Sequence, residues 1–149
     1  MNFEGSLVID RSPEEVWGFF WDVARLSRCI PGCERVETLK EREKYQLTIS
    51  DSVGPIRVNF EACADVSVVE AGKGIRVLLQ GKDLKGGGLR QTMEITLEEV
   101  AKSRTKVDFK ATVTVFGKLG TLGYPFIKKK VNSVIEEFGQ RVKSEIEAA

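Results

Sequence analysis

Residues 56–68 read Ile56-Arg57-Val58-Asn59-Phe60-Glu61-Ala62-Cys63-Ala64-Asp65-Val66-Ser67-Val68. One parity is apolar throughout, from Ile56, Val58 and Phe60 to Val66 and Val68, while the other carries Arg57, Asn59, Glu61 and Asp65. Successive side chains of a strand point to opposite faces, so a period of two held over this length predicts a strand with one dry face and one wet face.

The same test finds strands on both sides. Phe3, Leu7 and Ile9 stand opposite Glu4, Ser6 and Asp10, and Tyr45, Leu47 and Ile49 alternate with Gln46, Thr48 and Ser50. Ile75, Val77 and Leu79 alternate less cleanly, because Leu78 interrupts the wet face. Leu89, Met93, Ile95 and Leu97 alternate with Arg90, Thr92, Glu94 and Thr96. Val107, Phe109, Ala111, Val113 and Val115 do so with Lys106, Asp108, Lys110, Thr112 and Thr114. Residues 34–40 give a shorter, weaker strand. The links Lys40–Glu43, Gly54-Pro55, Ala71–Gly74, Lys85–Gly88 and Ala101–Ser103 have hairpin length. Links this short join antiparallel neighbours, so strands two to seven are expected to form a meander.

Two segments follow a helical period instead. Ser12-Pro13-Glu14-Glu15 has the form of a capping box with proline at the first helical position, and Val16, Phe19, Phe20 and Val23 supply an apolar stripe. Asp22 caps a second short helix that stops before Pro31-Gly32. At the other end, Ile127, Val131, Val134, Ile135, Phe138, Val142 and Ile146 recur at threes and fours. From Tyr124 to Ala148 this is about 37 Å of helix, with Pro125 expected to kink or restart it. The expected fold is therefore α+β, in the order β-α-α-β-β-β-β-β-β-α. A seven-stranded curved antiparallel sheet has its dry face covered by the long helix and the short pair. So few helices leave part of that face unfilled, which implies an apolar cavity.

The 149 residues suit one domain, 1–149, of a size that folds without disulfide or metal. Hydrophobic residues make up 42% and charged residues 30%, a globular balance, and the net charge of +1 provides no basic field for nucleic acid. No run reaches the roughly 18 apolar residues of a membrane span, and MNFEGSLVID lacks the features of a secretory signal, so a cytoplasmic protein is expected. Histidine is absent, which removes the commonest general base and zinc ligand.

Val16-Trp17, Asp22, Cys29-Ile30-Pro31-Gly32-Cys33-Glu34, Val53-Gly54-Pro55-Ile56 and Gly117-Lys118-Leu119-Gly120-Thr121-Leu122-Gly123 run along most of the chain, and Cys29–Glu34 is the most specific of them. In these segments and their order the sequence resembles the CoxG family of carbon monoxide dehydrogenase subunits, within the START and SRPBCC helix-grip superfamily. The resemblance implies a lipid-like or quinone-like ligand between sheet and long helix. It also implies association with molybdenum-containing CO dehydrogenases in membrane recruitment or quinone handling. Many members carry an apolar anchoring tail beyond the helix. Residues up to Ala149 contain none, so self-anchoring is not expected.

The expected pocket residues are Trp17, Phe20, Ile30, Pro31, Phe60, Leu79, Met93, Ile95, Phe109, Val113, Leu122, Phe126, Ile127 and Val131, with Gly87, Gly120 and Gly123 at the mouth. Trp17 and Trp21 lie four apart, and Trp17, at the family's matching position, is the expected wall residue; Trp21 is left for the mouth or a partner. Cys29 and Cys33 read as small buried side chains at a Pro-Gly loop, because a metal would want more ligands. Gly86-Gly87-Gly88 precedes a strand rather than a helix, so it reads as a hairpin tip that could gate the pocket, not as a phosphate loop. Gly117, Gly120 and Gly123 imply either close backbone packing or close ligand approach, and their segment is the expected lid. Lys128-Lys129-Lys130 is either a solvated face or a basic patch for anionic lipid or an acidic partner. Asp51 falls on the dry parity but close to Gly54-Pro55, and is expected to be exposed.

These residues favour a non-enzymatic carrier of a hydrophobic small molecule, with peripheral membrane contact through Lys128–Lys130 and neither cofactor, metal nor nucleic acid; the resemblance implies dehydrogenase subunits as partners. The alternatives are a protein-interaction module of the same fold, like its co-chaperone relatives, or a cyclase- or hydrolase-like enzyme. The enzyme reading lacks both histidine and a clear buried carboxylate pair.

Overall fold

The structure, a computed structural model, describes residues 1–83 and 86–148. Lys85 of the glycine hairpin and Ala149 lie outside the described residues. The strands are β1 (Asn2–Ile9), β2 (Cys33–Lys40), β3 (Lys44–Val53), β4 (Ile56–Glu70), β5 (Gly74–Asp83), β6 (Gly88–Ala101) and β7 (Arg104–Phe116). The helices are α1 (Pro13–Phe20), α2 (Val23–Ser27) and α3 (Tyr124–Glu147). All strand pairs are antiparallel, in the order β1-β7-β6-β5-β4-β3-β2. The meander from β2 to β7 is present, and β1 adds to its last strand.

α1 and α2 carry the chain from one sheet edge, β1, to the other, β2. Ser12 caps α1 by accepting a hydrogen bond from the Glu15 backbone N–H at 3.3 Å, with Pro13 in the first turn. Asp22 caps α2 through the Arg25 N–H at 3.4 Å. The Pro31-Gly32 turn then docks on β3. The Ser50 N–H donates to the Gly32 carbonyl at 2.9 Å, and a Cβ on Gly32, whose φ is +77°, would fall 2.6 Å from the Ser50 carbonyl oxygen. Only glycine meets both demands.

Before α3, residues Gly117–Leu122 form a 3-10 turn, whose period of three matches the glycine spacing. Gly123 has φ +90° and restarts the chain as α3, so Pro125 occupies the first turn, where its missing N–H costs nothing, and no kink is needed. α3 is seated off centre. Gly139 lies against Leu7 of β1, and a Cβ there would come within 2.9 Å of the Leu7 Cδ2. Ile9, Val107, Phe109, Val142 and Ile146 fill this side at 4% exposure or less.

Polar contacts hold the same end. Lys143 Nζ donates to the Val8 carbonyl at 2.6 Å, the Asp10 N–H donates to Glu147 Oε2 at 2.9 Å, and Arg25 Nη2 donates to the Glu145 carbonyl at 2.9 Å. The helix is thus anchored by its C-terminal half over β1 and α2. Its N-terminal half spans the remaining dry face.

Candidate functional site

The off-centre seating of α3 leaves an apolar cavity of about 320 Å³. Its walls come from the inner faces of β2 to β7, from α1, α2 and the loop after α2, from Leu119 of the turn before α3, and from the N-terminal two thirds of α3; among the described residues β1 contributes none. Val77, Leu79 and Met93 lie on the dry face in the interior of the sheet, yet they are only half-buried. A close-packed interior would bury such positions fully, so their exposure marks space that no protein atom fills.

Of the residues expected at the pocket, Phe20, Ile30, Pro31, Phe60, Leu79, Met93, Ile95, Val113, Ile127 and Val131 line this cavity together. Four others do not. Trp17 packs on the core cluster of Ile9, Val16 and Phe19, and meets Trp21 edge to face at 5.7 Å; Trp21 is the one on the wall. Phe109 is 3% exposed and stacks edge to face on Phe138 at 6.0 Å. Although it has the dry parity, β7 at that level lies beside β1, where the helix is seated and no space remains. Leu122 packs beside Leu119 against Val53, Val58 and Phe60. Phe126 is 57% exposed and covers Gly54.

The three mouth glycines also lie off the lining. Gly87 is pressed on Gly117, where an added Cβ would stand 2.4 Å from the Gly87 Cα. Gly120 is exposed, and Gly123 begins α3. The turn expected as a lid is held down by Leu119, which is 6% exposed and itself lines the cavity.

Polar side chains in the lining are few: Ser27, Tyr45, Asp51, Gln91 and Lys130. Asp51, expected to be exposed, instead faces the cavity and pairs with Lys130, Nζ to Oδ2 2.8 Å, each side chain about 30% exposed (29% and 31%). Its parity on β3 outweighs its nearness to the turn. The lysine run therefore divides. Lys130 turns inward, Lys128 stands over the Tyr124 ring at 5.7 Å, and Lys129 faces solvent. Sequence reading passed over Gln91, whose signal was a polar residue on the dry parity between Leu89 and Met93.

The three cysteines are free thiols. Burial raises the Cys29 and Cys33 pKa values, so both stay protonated and poorly nucleophilic near neutrality. Cys29 is 2% exposed and packs with the core, as small buried cysteines do.

Residues 5–147 match the profile of CoxG, a family described as a carbon monoxide dehydrogenase subunit. No curated protein matches. Among solved structures, a conserved protein from Geobacillus kaustophilus superposes with a TM-score of 0.89 at 23% identity, covering 98% of this chain and 95% of that one. A START superfamily protein from Mycobacterium smegmatis gives 0.78 at 14%, covering 99% and 97%. The Zhui aromatase/cyclase from a Streptomyces species, R1128, gives 0.65 at 13%, covering 99% and 92%. At these identities the structures speak for the fold alone: a START-like sheet gripping a C-terminal helix. With the family profile spanning nearly all of it, the chain belongs to the CoxG family of carbon monoxide dehydrogenase subunits.

Proposed function

We propose that the protein is a non-enzymatic carrier that holds a lipid-like or quinone-like molecule between the sheet and α3, and that it serves a molybdenum-containing CO dehydrogenase-type enzyme. Family and fold suggest a ligand-binding or carrier role. The observation that carries the hydrophobic reading is the unfilled apolar cavity. About 320 Å³ is within the usual range for small-molecule sites, and each methylene moved from water into such a space contributes about 0.8 kcal/mol. The fold also occurs in an aromatase/cyclase. Here, however, the described residues of the lining offer one ion pair, one amide, one indole N–H and two hydroxyls that already have hydrogen-bond partners, and among them no base stands beside a nucleophile.

Delivery would use the start of α3. Tyr124 (58% exposed) and Phe126 (57%) are exposed there beside Lys128 and Lys129. This mix suits an anionic membrane surface, where each lysine contributes about 1 kcal/mol. Lys130, spent on Asp51, adds little. The contact proposed is peripheral, from the cytoplasmic side; among the described residues no helix is long and apolar enough to cross a membrane.

Solvent extraction of purified protein followed by mass spectrometry tests the reading. A stoichiometric lipid or quinone is expected, as is a rise in melting temperature on adding a short-chain quinone to stripped protein. Absence of both would sink the carrier assignment. Sedimentation with vesicles rich in phosphatidylserine, but not with neutral ones, tests the surface, and co-purification of dehydrogenase subunits at near-equal amount tests the partner.

A further inference from the structure

Gln91 stands in the middle of the cavity wall with nothing to bond. Its register partners are Leu79 on β5 and Val113 on β7, and its inward neighbours on β6 are Leu89 and Met93; all four line the cavity. The hydroxyls and charges of the lining, those of Ser27, Tyr45, Asp51 and Lys130, are satisfied. The Ser27 hydroxyl donates to the Ala24 carbonyl at 2.9 Å, the Tyr45 hydroxyl accepts the Arg42 N–H at 2.9 Å, and Asp51 and Lys130 hold each other. Trp21 also has an unpartnered donor, but its indole nitrogen is wholly buried. The Gln91 amide opens on the cavity, and among the described residues its side chain takes part in no hydrogen bond.

An amide among apolar side chains is unfavourable until something pairs with it. The sheet gains nothing from Gln91 that leucine would not supply, since its backbone pairs through the ladder whatever the side chain. A lone polar group set in an apolar wall is the usual means by which a pocket orients its ligand and selects among similar shapes. We infer that Gln91 is a specificity-determining residue, selecting an apolar ligand that carries a hydrogen-bonding oxygen, of carbonyl type, within its hydrophobic body. A pure hydrocarbon leaves the amide unpaired and is discriminated against. A fatty chain polar only at its end leaves the amide unpaired too, unless that end reaches the middle of the wall.

The inference rests on the carrier reading, and a matched pair of probes separates the two. 2-Acetylnaphthalene and 2-ethylnaphthalene have nearly the same shape and differ by one carbonyl. Their dissociation constants are measured by equilibrium dialysis against the wild type, Gln91→Leu and Gln91→Met, with Thr92→Val on the exposed face as control. The preference for the ketone, taken as a ratio, cancels the difference in water solubility when proteins are compared. It is expected to fall about tenfold in both Gln91 variants, the weight of one hydrogen bond, and to stay unchanged in Thr92→Val. The Gln91 variants should melt no lower than the wild type. Gln91→Met keeps the chain length should leucine pack badly. If both probes bind but the ratio is the same in all four proteins, the amide is served by water and the inference is overturned while the carrier reading stands. If neither probe binds the wild type, both fall.

Discussion

Lys130 of α3 and Asp51 of β3 meet across an edge of the apolar cavity with Nζ and Oδ2 2.8 Å apart. Among the described residues this is the ion pair that ties the N-terminal half of α3 to the sheet; the other half is held over β1 and α2 by Lys143, Glu145 and Glu147. A pair at this depth lies between the exposed and buried limits. Asp51→Asn and Lys130→Met should each lower the urea midpoint, and the double variant should lose less than their sum, with a coupling of about 1 kcal/mol. Strict additivity would show that the two charges act independently in solution.

Filling the cavity should separate binding from folding. Leu79 is half-buried on the wall, so Leu79→Trp can extend into free space instead of straining a packed core. The variant should melt within a few degrees of the ligand-free wild type and bind no apolar ligand. Phe109 would be a poor choice, because at 3% exposure any charge placed there would be buried without a partner. A Leu79→Trp protein that unfolds would mean the space is closed in solution.

Gly139 sets how closely α3 approaches β1. Gly139→Ala gains up to about 1 kcal/mol in helix propensity but must displace the Leu7 Cδ2, which would lie 2.9 Å from the new Cβ. A near-neutral result is expected, since that methyl ends a flexible side chain. Gly139→Leu cannot be accommodated without lifting the helix, and should cost about 2–3 kcal/mol in urea unfolding. Equal effects of the two changes would show that the contact is loose.

Acid should release the anchored end. Arg25 first, and Arg28 with it, hold the Glu145 carboxyl below its usual pKa range, at N–O distances of 3.3 Å for each. A carboxyl depressed in the folded state stabilises above its unfolded pKa, and that stabilisation disappears as pH falls through its folded value. The melting-temperature difference between wild type and Glu145→Gln should therefore be largest near neutral pH and shrink as the pH falls below the usual carboxylate range through the depressed value. A difference that persists at low pH would assign the effect to packing.

Much of this architecture is legible in residue patterns. The alternation at 56–68 predicts β4 and its dry face, and the threes and fours from Ile127 to Ile146 predict the stripe of α3. Short turns dictate the meander, and Ser12 and Asp22 mark both helix starts. These succeed because backbone periodicity and capping are local, and each residue carries its own share of the signal. Asp51 and Gln91 were legible as polar residues on a dry parity, but parity names a face and does not say what stands opposite it. Only the tertiary structure decided that. Seating Gly139 on Leu7 brings α3 down over β1, so Phe109 packs into core while Leu79 and Met93, of the same class, border empty space. The same off-centre helix brings Lys130 to Asp51, and the path of α1 puts Trp21 rather than Trp17 on the wall. How far the helix lies from each strand is fixed by side-chain volumes summed across elements distant in sequence, and no local period encodes that sum.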